Sequence, residues 1–207
     1  MSVSQRERSA LVETLRTVGP EAPTLCEGWT TRDLAAHLVL RERRLDATAG
    51  IALPALASYT ARVQRQIADS TEWDDLVAKI AAGPPIYSPF KLLDPLVNTS
   101  EMFIHHEDVR RAAADWQPRI LDDQTVAALR RPIPLMARVT MARVPARVTL
   151  RTPDGATLAT VGTGVLVDIT AEPSELLLFC SGRNAVRATF TGDDEAIASL
   201  KAAKRGL

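Results

Sequence analysis

Trp29-Thr30-Thr31-Arg32-Asp33-Leu34-Ala35-Ala36-His37-Leu38 and, further along, Glu101-Met102-Phe103-Ile104-His105-His106-Glu107-Asp108-Val109-Arg110 are the stretches on which the fold turns. In the first, Thr30 followed three residues later by Asp33 is the pattern of a capping box, so a helix is expected to open here and run over 31–48. Leu34, Leu38 and Leu45 recur at helical spacing as its apolar stripe, and Arg41, Arg43 and Arg44 then fall on its solvated face. The second stretch predicts a helix over 98–115, with Met102, Val109 and Ala113 on one stripe and Phe103 nearby.

These two helices carry all three histidines of the chain, His37, His105 and His106. Glu101 and His105 are four apart, so on a helix they project from one face about a turn from each other, whereas His106 is rotated by about 100 degrees. Glu101 and His105 can grip one ion, and His37 turned inward from the other helix would supply a third ligand. Two imidazoles and a carboxylate suit zinc and also nickel, iron or manganese, and three protein ligands leave the open position of a catalytic site. Other readings of the same residues stand beside this one. Glu101 follows Asn98 by three and could be the partner of a capping box, and His37 alone could be a satisfied core histidine. Spacing does not choose between His105 and His106, but only His105 has a carboxylate at both minus four and plus three, Glu101 and Asp108. Asp108 could be a fourth ligand, an acceptor behind His105, or an ion-pair partner of Arg110 and Arg111.

Outward from these helices, residues 4–18 read as a surface helix with Leu11, Leu15 and Val18 buried, ended by Gly19-Pro20. A third helix follows Pro54 through Tyr59, Val63 and Ile67, and a shorter one surrounds Trp73, Leu76, Val77 and Ile80. Residues 84–95 hold four prolines with Tyr87, Phe90, Leu92 and Leu93, the texture of an ordered crossover packed over the bundle. Beyond Pro118 the pattern changes to strands. Arg147 to Arg151 alternates, Pro153-Asp154-Gly155 is a turn, and 157–161 returns as a hairpin. A strand over 165–169, a buried helix over 173–180, a strand over 185–190 and a final helix over 193–204 complete an α+β module. The expected organisation is a helical domain over 1–130, with a helix over 123–130 as the joint, and a small α+β domain over 131–207.

The 207 residues carry 25 basic and 25 acidic side chains and are 46% hydrophobic. A chain without net charge lacks the uncompensated cations of a nonspecific nucleic-acid binder, so no nucleic-acid partner is expected. No stretch approaches the run of about 18 apolar residues of a membrane span, and the N-terminus is charged throughout, so no membrane association and a cytoplasmic location are expected. Cys26 and Cys180 lie far apart and outside any metal-binding spacing; both read as free thiols buried as small apolar residues. Gly162-Thr163-Gly164 lacks the rest of a dinucleotide fingerprint and reads as a turn between strands.

The residues at 29–38 resemble the WxxxDLxxHL signature of DinB-like helix-bundle metalloproteins, and those at 101–110 resemble the ExxxHxxDV segment of the mycothiol-dependent maleylpyruvate isomerase branch. The tandem His105-His106 is similar to a related actinobacterial group described only as metal-binding proteins. Pro173-Ser174-Glu175-Leu176-Leu177-Leu178, Ser181-Gly182-Arg183 and Thr191-Gly192-Asp193 resemble the small sterol carrier protein-like domain of the same family. The resemblance implies an α+β fold, in which a DinB-like four-helix bundle precedes that small domain. It implies zinc held by His37, Glu101 and His105, with Asp33 and Asp108 supporting the ligands from behind, and it would let Arg183 meet an anionic group of a thiol cosubstrate. The chain departs from the isomerase pattern at His106-Glu107, where a glycine and an aromatic residue are commoner.

The expected function is that of a divalent-metal-binding protein, a zinc-dependent transferase or isomerase in which a low-molecular-weight thiol, mycothiol by resemblance, attacks a small electrophile as its thiolate. Neither Cys26 nor Cys180 need take part. A noncatalytic metal- or ligand-binding module and a metal-water hydrolase are the alternatives, and the protein is expected as a monomer or homodimer.

Overall fold

The computed structural model describes residues 1–51, 53–88, 91 and 98–205. Its contacts divide the chain into two compact units, Met1–Gln117 and Pro118–Leu207. The division falls earlier than the expected 130/131 because the helix Asp123–Arg130 packs on elements of the second unit.

In the first unit, helix α1 (Val3–Val18) opens with a Ser2/Gln5 capping box and stops at Gly19, whose φ of 78° needs a residue without a Cβ. Helix α2 (Thr31–Arg43) starts from the expected Thr30/Asp33 capping box. It ends sooner than the sequence suggests. Arg44 leaves helical geometry (φ −119°, ψ 72°), and the chain resumes as the one-turn α3 (Leu45–Thr48), which leaves Leu45 exposed. Gly50 then lies so close to Thr60 and the Leu56 carbonyl that a Cβ would clash, which fixes the tight turn toward α4 (Ala57–Ser70). Helices α5 (Trp73–Ala82) and α6 (Thr99–Arg110) follow. Leu11, Val12 and Leu15 of α1, Leu34, Ala35, Leu38 and Val39 of α2, Leu76, Val77 and Ile80 of α5, and Met102 and Val109 of α6 share one core, so the bundle is a four-helix one; α4 packs on α2. Helix α6 closes at Arg110, short of residue 115, and Ala113 is exposed.

The arginines of α2 are not a solvated face. Arg41 is buried, and Arg43 donates to the carbonyls of Lys79 and Gly83 at the end of α5; Arg44 alone reaches outward, to Asp46. Arg32 closes α4 in the same way through Ala68 and Thr71, and Arg8 donates to Ile80 while pairing with the buried Glu42. Cations at helix C-termini satisfy carbonyls that have no intrahelical donor. Periodicity missed this because a long side chain can leave a polar stripe and still end inside the fold. Half of the expected apolar crossover over 84–95 lies outside the described residues; at its start Ile86 and Tyr87 are exposed, on a turn closed by the Ser88 amide to the Pro85 carbonyl.

In the second unit, helices α7 (Asp123–Arg130) and α8 (Ile133–Thr140) precede strands β1 (Arg147–Arg151), β2 (Thr157–Val161) and β3 (Leu166–Thr170), helix α9 (Pro173–Cys180), strand β4 (Thr189–Gly192) and helix α10 (Asp194–Ala202). The sheet order is β2-β1-β3-β4, with β1 antiparallel to β2 and parallel to β3, and β4 antiparallel to β3. The link from β2 to β3 must cross the start of β1, and Gly162 makes that possible at φ 76°, where a Cβ would strike the Ala146 carbonyl. Val148, Leu150, Val167 and Ile169 are fully buried, as are Leu129, Ile133 and Leu176. The expected strand over 185–190 pairs only from Thr189, because the Arg187 amide donates to the buried Glu175 carboxylate instead of to a neighbouring strand.

Burial pushes the Cys180 thiol up to about 12 and leaves it no exposed surface. Cys180 should therefore resist a thiol reagent at about pH 8 in the native protein and react only on unfolding, since the thiolate is the reactive form. Mass spectrometry of the labelled native protein checks this, and rapid labelling of Cys180 would refute it.

Candidate metal centre

His37 lies in α2 and His105 in α6, both nearly buried, with ring centroids 5.3 Å apart. Each imidazole is held from behind at Nδ1. That of His105 donates to Asp108 Oδ2 at 2.9 Å, and that of His37 faces Gln64 Oε1 of α4 at 3.4 Å; the Gln64 amide nitrogen is in turn 3.4 Å from the Asp33 carbonyl oxygen. Acceptors at Nδ1 place the proton there and leave Nε2 as the free lone pair in a neutral ring. Both Nε2 atoms point at the same oxygen, Glu101 Oε1, at 3.6 Å from His37 and 3.3 Å from His105. The His37, Glu101 and His105 donor atoms lie within 4.8 Å of one another. Two imidazole nitrogens and a carboxylate oxygen at this spacing fit a divalent ion.

A cation already touches this cluster. Arg41, one turn after His37 on α2, has Nε 3.3 Å from Glu101 Oε1 and donates through Nη1 to Asn98 Oδ1 at 2.8 Å. Asn98 thus serves Arg41 and makes no side-chain cap of α6, so Glu101 is not half of a capping box. Desolvation opposes ionisation of Glu101, but the contacts with His105 and His37 and the charge of Arg41 outweigh it and hold its carboxyl well below the usual range. Burial opposes the charged form of His105 as well, yet the bonds to Asp108, Cys26 and Glu101 hold its imidazole well above the usual value.

The remaining sequence candidates are placed as follows. Asp108 is fully buried behind His105, while Arg110 and Arg111 pair with Glu107 at 2.7 and 2.6 Å. Asp33 uses its carboxylate on Thr30 in the capping box. His106 turns to α1, where its Nε2 is 2.9 Å from Thr14 Oγ1 and its Nδ1 is 3.8 Å from Glu7. Arg183 is in the second unit, its guanidinium donating to the Ser181 carbonyl. Cys26 is half-buried, and its sulfur donates to Asp108 Oδ2 at 3.3 Å. Sequence reasoning missed Arg41, Gln64 and Cys26. Only Arg41 left a signal, its i+4 spacing from His37.

Among solved structures, the chain is similar to the mycothiol-dependent maleylpyruvate isomerase, with a TM-score of 0.60 at 14% identity over 91% of this chain and 90% of that one. It is also similar to a variant of that enzyme with a histidine replaced by alanine, with a TM-score of 0.62 at 14% identity over the same shares, 91% and 90%. The chain has that isomerase's fold. The sequence matches no family model and no curated protein. Among the described residues no helix is long and apolar enough to cross a membrane.

Without metal, the His105 imidazolium bridges two carboxylates, Glu101 at Nε2 and Asp108 at Nδ1. Its folded-state value is raised, so the stability it contributes is complete below the unfolded value of about 6.5 and is lost as pH rises through the folded one. The metal-free protein should lose denaturant resistance on the alkaline side of neutrality, and His105→Gln should lack that decline. Unfolding midpoints across about pH 6 to 9 test this; a wild-type midpoint independent of pH would contradict it.

Proposed function

We propose that the protein is a divalent-metal-dependent enzyme that uses a low-molecular-weight thiol, mycothiol or a close analogue, to transfer or isomerise a small electrophile. The observation that carries this reading is the convergence of His37 Nε2 and His105 Nε2 on Glu101 Oε1, with each ring fixed from its far side. The fold shared with an isomerase described as mycothiol-dependent supports the thiol. A bound zinc or similar ion would lower the pKa of a thiol with an ordinary value near 8.5 and so supply the thiolate at neutral pH.

The chain's own residues set the conditions for that chemistry. His37, Glu101 and His105 would hold the ion with three protein ligands, one fewer than a closed structural site supplies. Asp108 keeps the His105 proton on Nδ1, and Gln64 does the same for His37. Arg41 places a permanent positive charge beside Glu101. With Glu101 and Asp108 ionised and both imidazoles neutral, a divalent ion and Arg41 leave the cluster one positive charge in excess, so an anionic ligand is favoured over a neutral one. The charge balance suits an anionic reacting partner, a thiolate or a hydroxide, and the shared fold is what supports the thiol.

Purified protein should contain about one divalent ion per chain, as expected of a single three-ligand site. His37→Ala should lose it and His106→Ala, altered on the α1 side of α6, should keep it. Elemental mass spectrometry of the three proteins decides this; no ion in the wild type after reconstitution, or equal loss in both variants, overturns the ligand set. Loaded protein should then consume model electrophiles only with added thiol. Turnover without thiol would point to hydrolysis, and no turnover with ligand-dependent stabilisation would point to a binding module.

A further inference from the structure

We infer that Cys26 is a positioning residue of the metal centre, acting on His105 through Asp108, and that it is not itself a ligand. The inference rests on the reading of His37, Glu101 and His105 as the metal-holding set. Two donors meet on one buried oxygen: Asp108 Oδ2 accepts from His105 Nδ1 at 2.9 Å and from the Cys26 thiol at 3.3 Å. A carboxylate without solvent exposure needs such partners. The thiol therefore fixes the direction in which Oδ2 faces the imidazole. The Nδ1 proton determines which lone pair His105 can offer an ion.

The sulfur is held in place by backbone bonds around it. The Leu25 amide donates to the Asp108 carbonyl at 2.9 Å, the Cys26 amide to Thr24 Oγ1 at 3.2 Å, and the Trp29 amide to the Cys26 carbonyl at 3.0 Å. The same loop delivers the Trp29 ring to within 5.1 Å of His37. One short segment thus braces both imidazoles, Cys26 through a carboxylate and Trp29 by ring contact. Cys26, His105 and Asp108 also lie close enough to hold an ion among themselves. An ion there would take His105 Nδ1 from Asp108 and turn the ring nitrogen that faces Glu101 into the idle one. The observed bonds favour the opposite assignment.

The test compares wild type, Cys26→Ala and Cys26→Ser. Serine keeps a hydroxyl donor toward Asp108 and alanine removes it. Cobalt affinity by chelator competition should fall about tenfold in Cys26→Ala, the scale of losses when a partner behind a ligand is removed, and stay within about threefold in Cys26→Ser. The cobalt-loaded wild type should show no intense near-ultraviolet sulfur-to-cobalt band. In metal-free samples, the nitrogen-15 shift of His105 Nδ1 should move in Cys26→Ala and stay near the wild-type value in Cys26→Ser, a readout that a general loss of stability would not reproduce. A sulfur-to-cobalt band lost with Cys26 would make it a ligand and overturn the proposal. So would Cys26→Ala behaving as wild type in both readouts, or equal losses in both variants. If the wild type binds no cobalt, the metal reading falls, and the nitrogen shifts alone decide whether Cys26 governs His105.

Discussion

A single carboxylate oxygen, Glu101 Oε1, faces two imidazole nitrogens and a guanidinium inside a helical bundle, and the surrounding structure is arranged to keep it there. Charges withdrawn from water are tolerated only when paired and hydrogen-bonded. Each member of this cluster accordingly has a second attachment: His105 to Asp108, His37 to Gln64, and Arg41 to Asn98. The three attachments come from different places in the chain, α6 itself, α4, and the residue preceding α6. Docking of α4 on α2 is thereby linked to the orientation of His37, and the entry of the chain into α6 is linked to the position of Arg41.

The same requirement explains the polar residues that the bundle buries away from the cluster. Arg8 and Glu42 pair between α1 and α2, and Glu107 takes Arg110 and Arg111 from its own helix. Desolvation raises the Glu42 carboxyl above its usual value despite the neighbouring arginines, so this pair is not a large source of net stability. Its other bond suggests what it does: Arg8 also reaches the Ile80 carbonyl, tying the first helix to the end of α5. Specific register between helices, more than energy, is what such buried pairs can supply.

The fold was legible where local rules and burial agree. Thr30 and Asp33 announced the start of α2, Pro153-Asp154-Gly155 the hairpin, and the apolar run before Cys180 a buried helix. Glu101 and His105 were legible as a pair because their separation is a property of one helix, and Asp108 because it lies three residues from His105. His37 could be offered as their third ligand because the chain has only three histidines, but that its helix faces theirs was implied by the resemblance, since no local rule says which helices face each other. Arg41 was misread because periodicity records where a side chain starts and not where a flexible one ends. Gln64 and Cys26 belong to segments whose approach to the histidines is purely tertiary, so nothing in their own neighbourhoods distinguishes them. The division at Gln117 differs from the expected 130/131 for a similar reason, because α7 is an ordinary amphipathic helix whose allegiance is decided by its packing on α9.

His106 shows how much the site depends on helix rotation. It is adjacent to His105 in sequence and equally able to bind a metal, yet α6 turns it toward Thr14 and Glu7 of α1. The rotation is set by features unrelated to metal. Met102 and Val109 must enter the core, and the Asp108 carbonyl must accept the Leu25 amide. Once those are satisfied, Glu101, His105 and Asp108 share the face toward α2 and the loop before it. A shift of about 100 degrees would exchange the histidines, but it would also take Val109 out of the core and bring Arg110 into its place. The apolar stripe of α6 therefore selects which histidine faces Glu101 and His37, and the arrangement of the site follows from the packing of its helix.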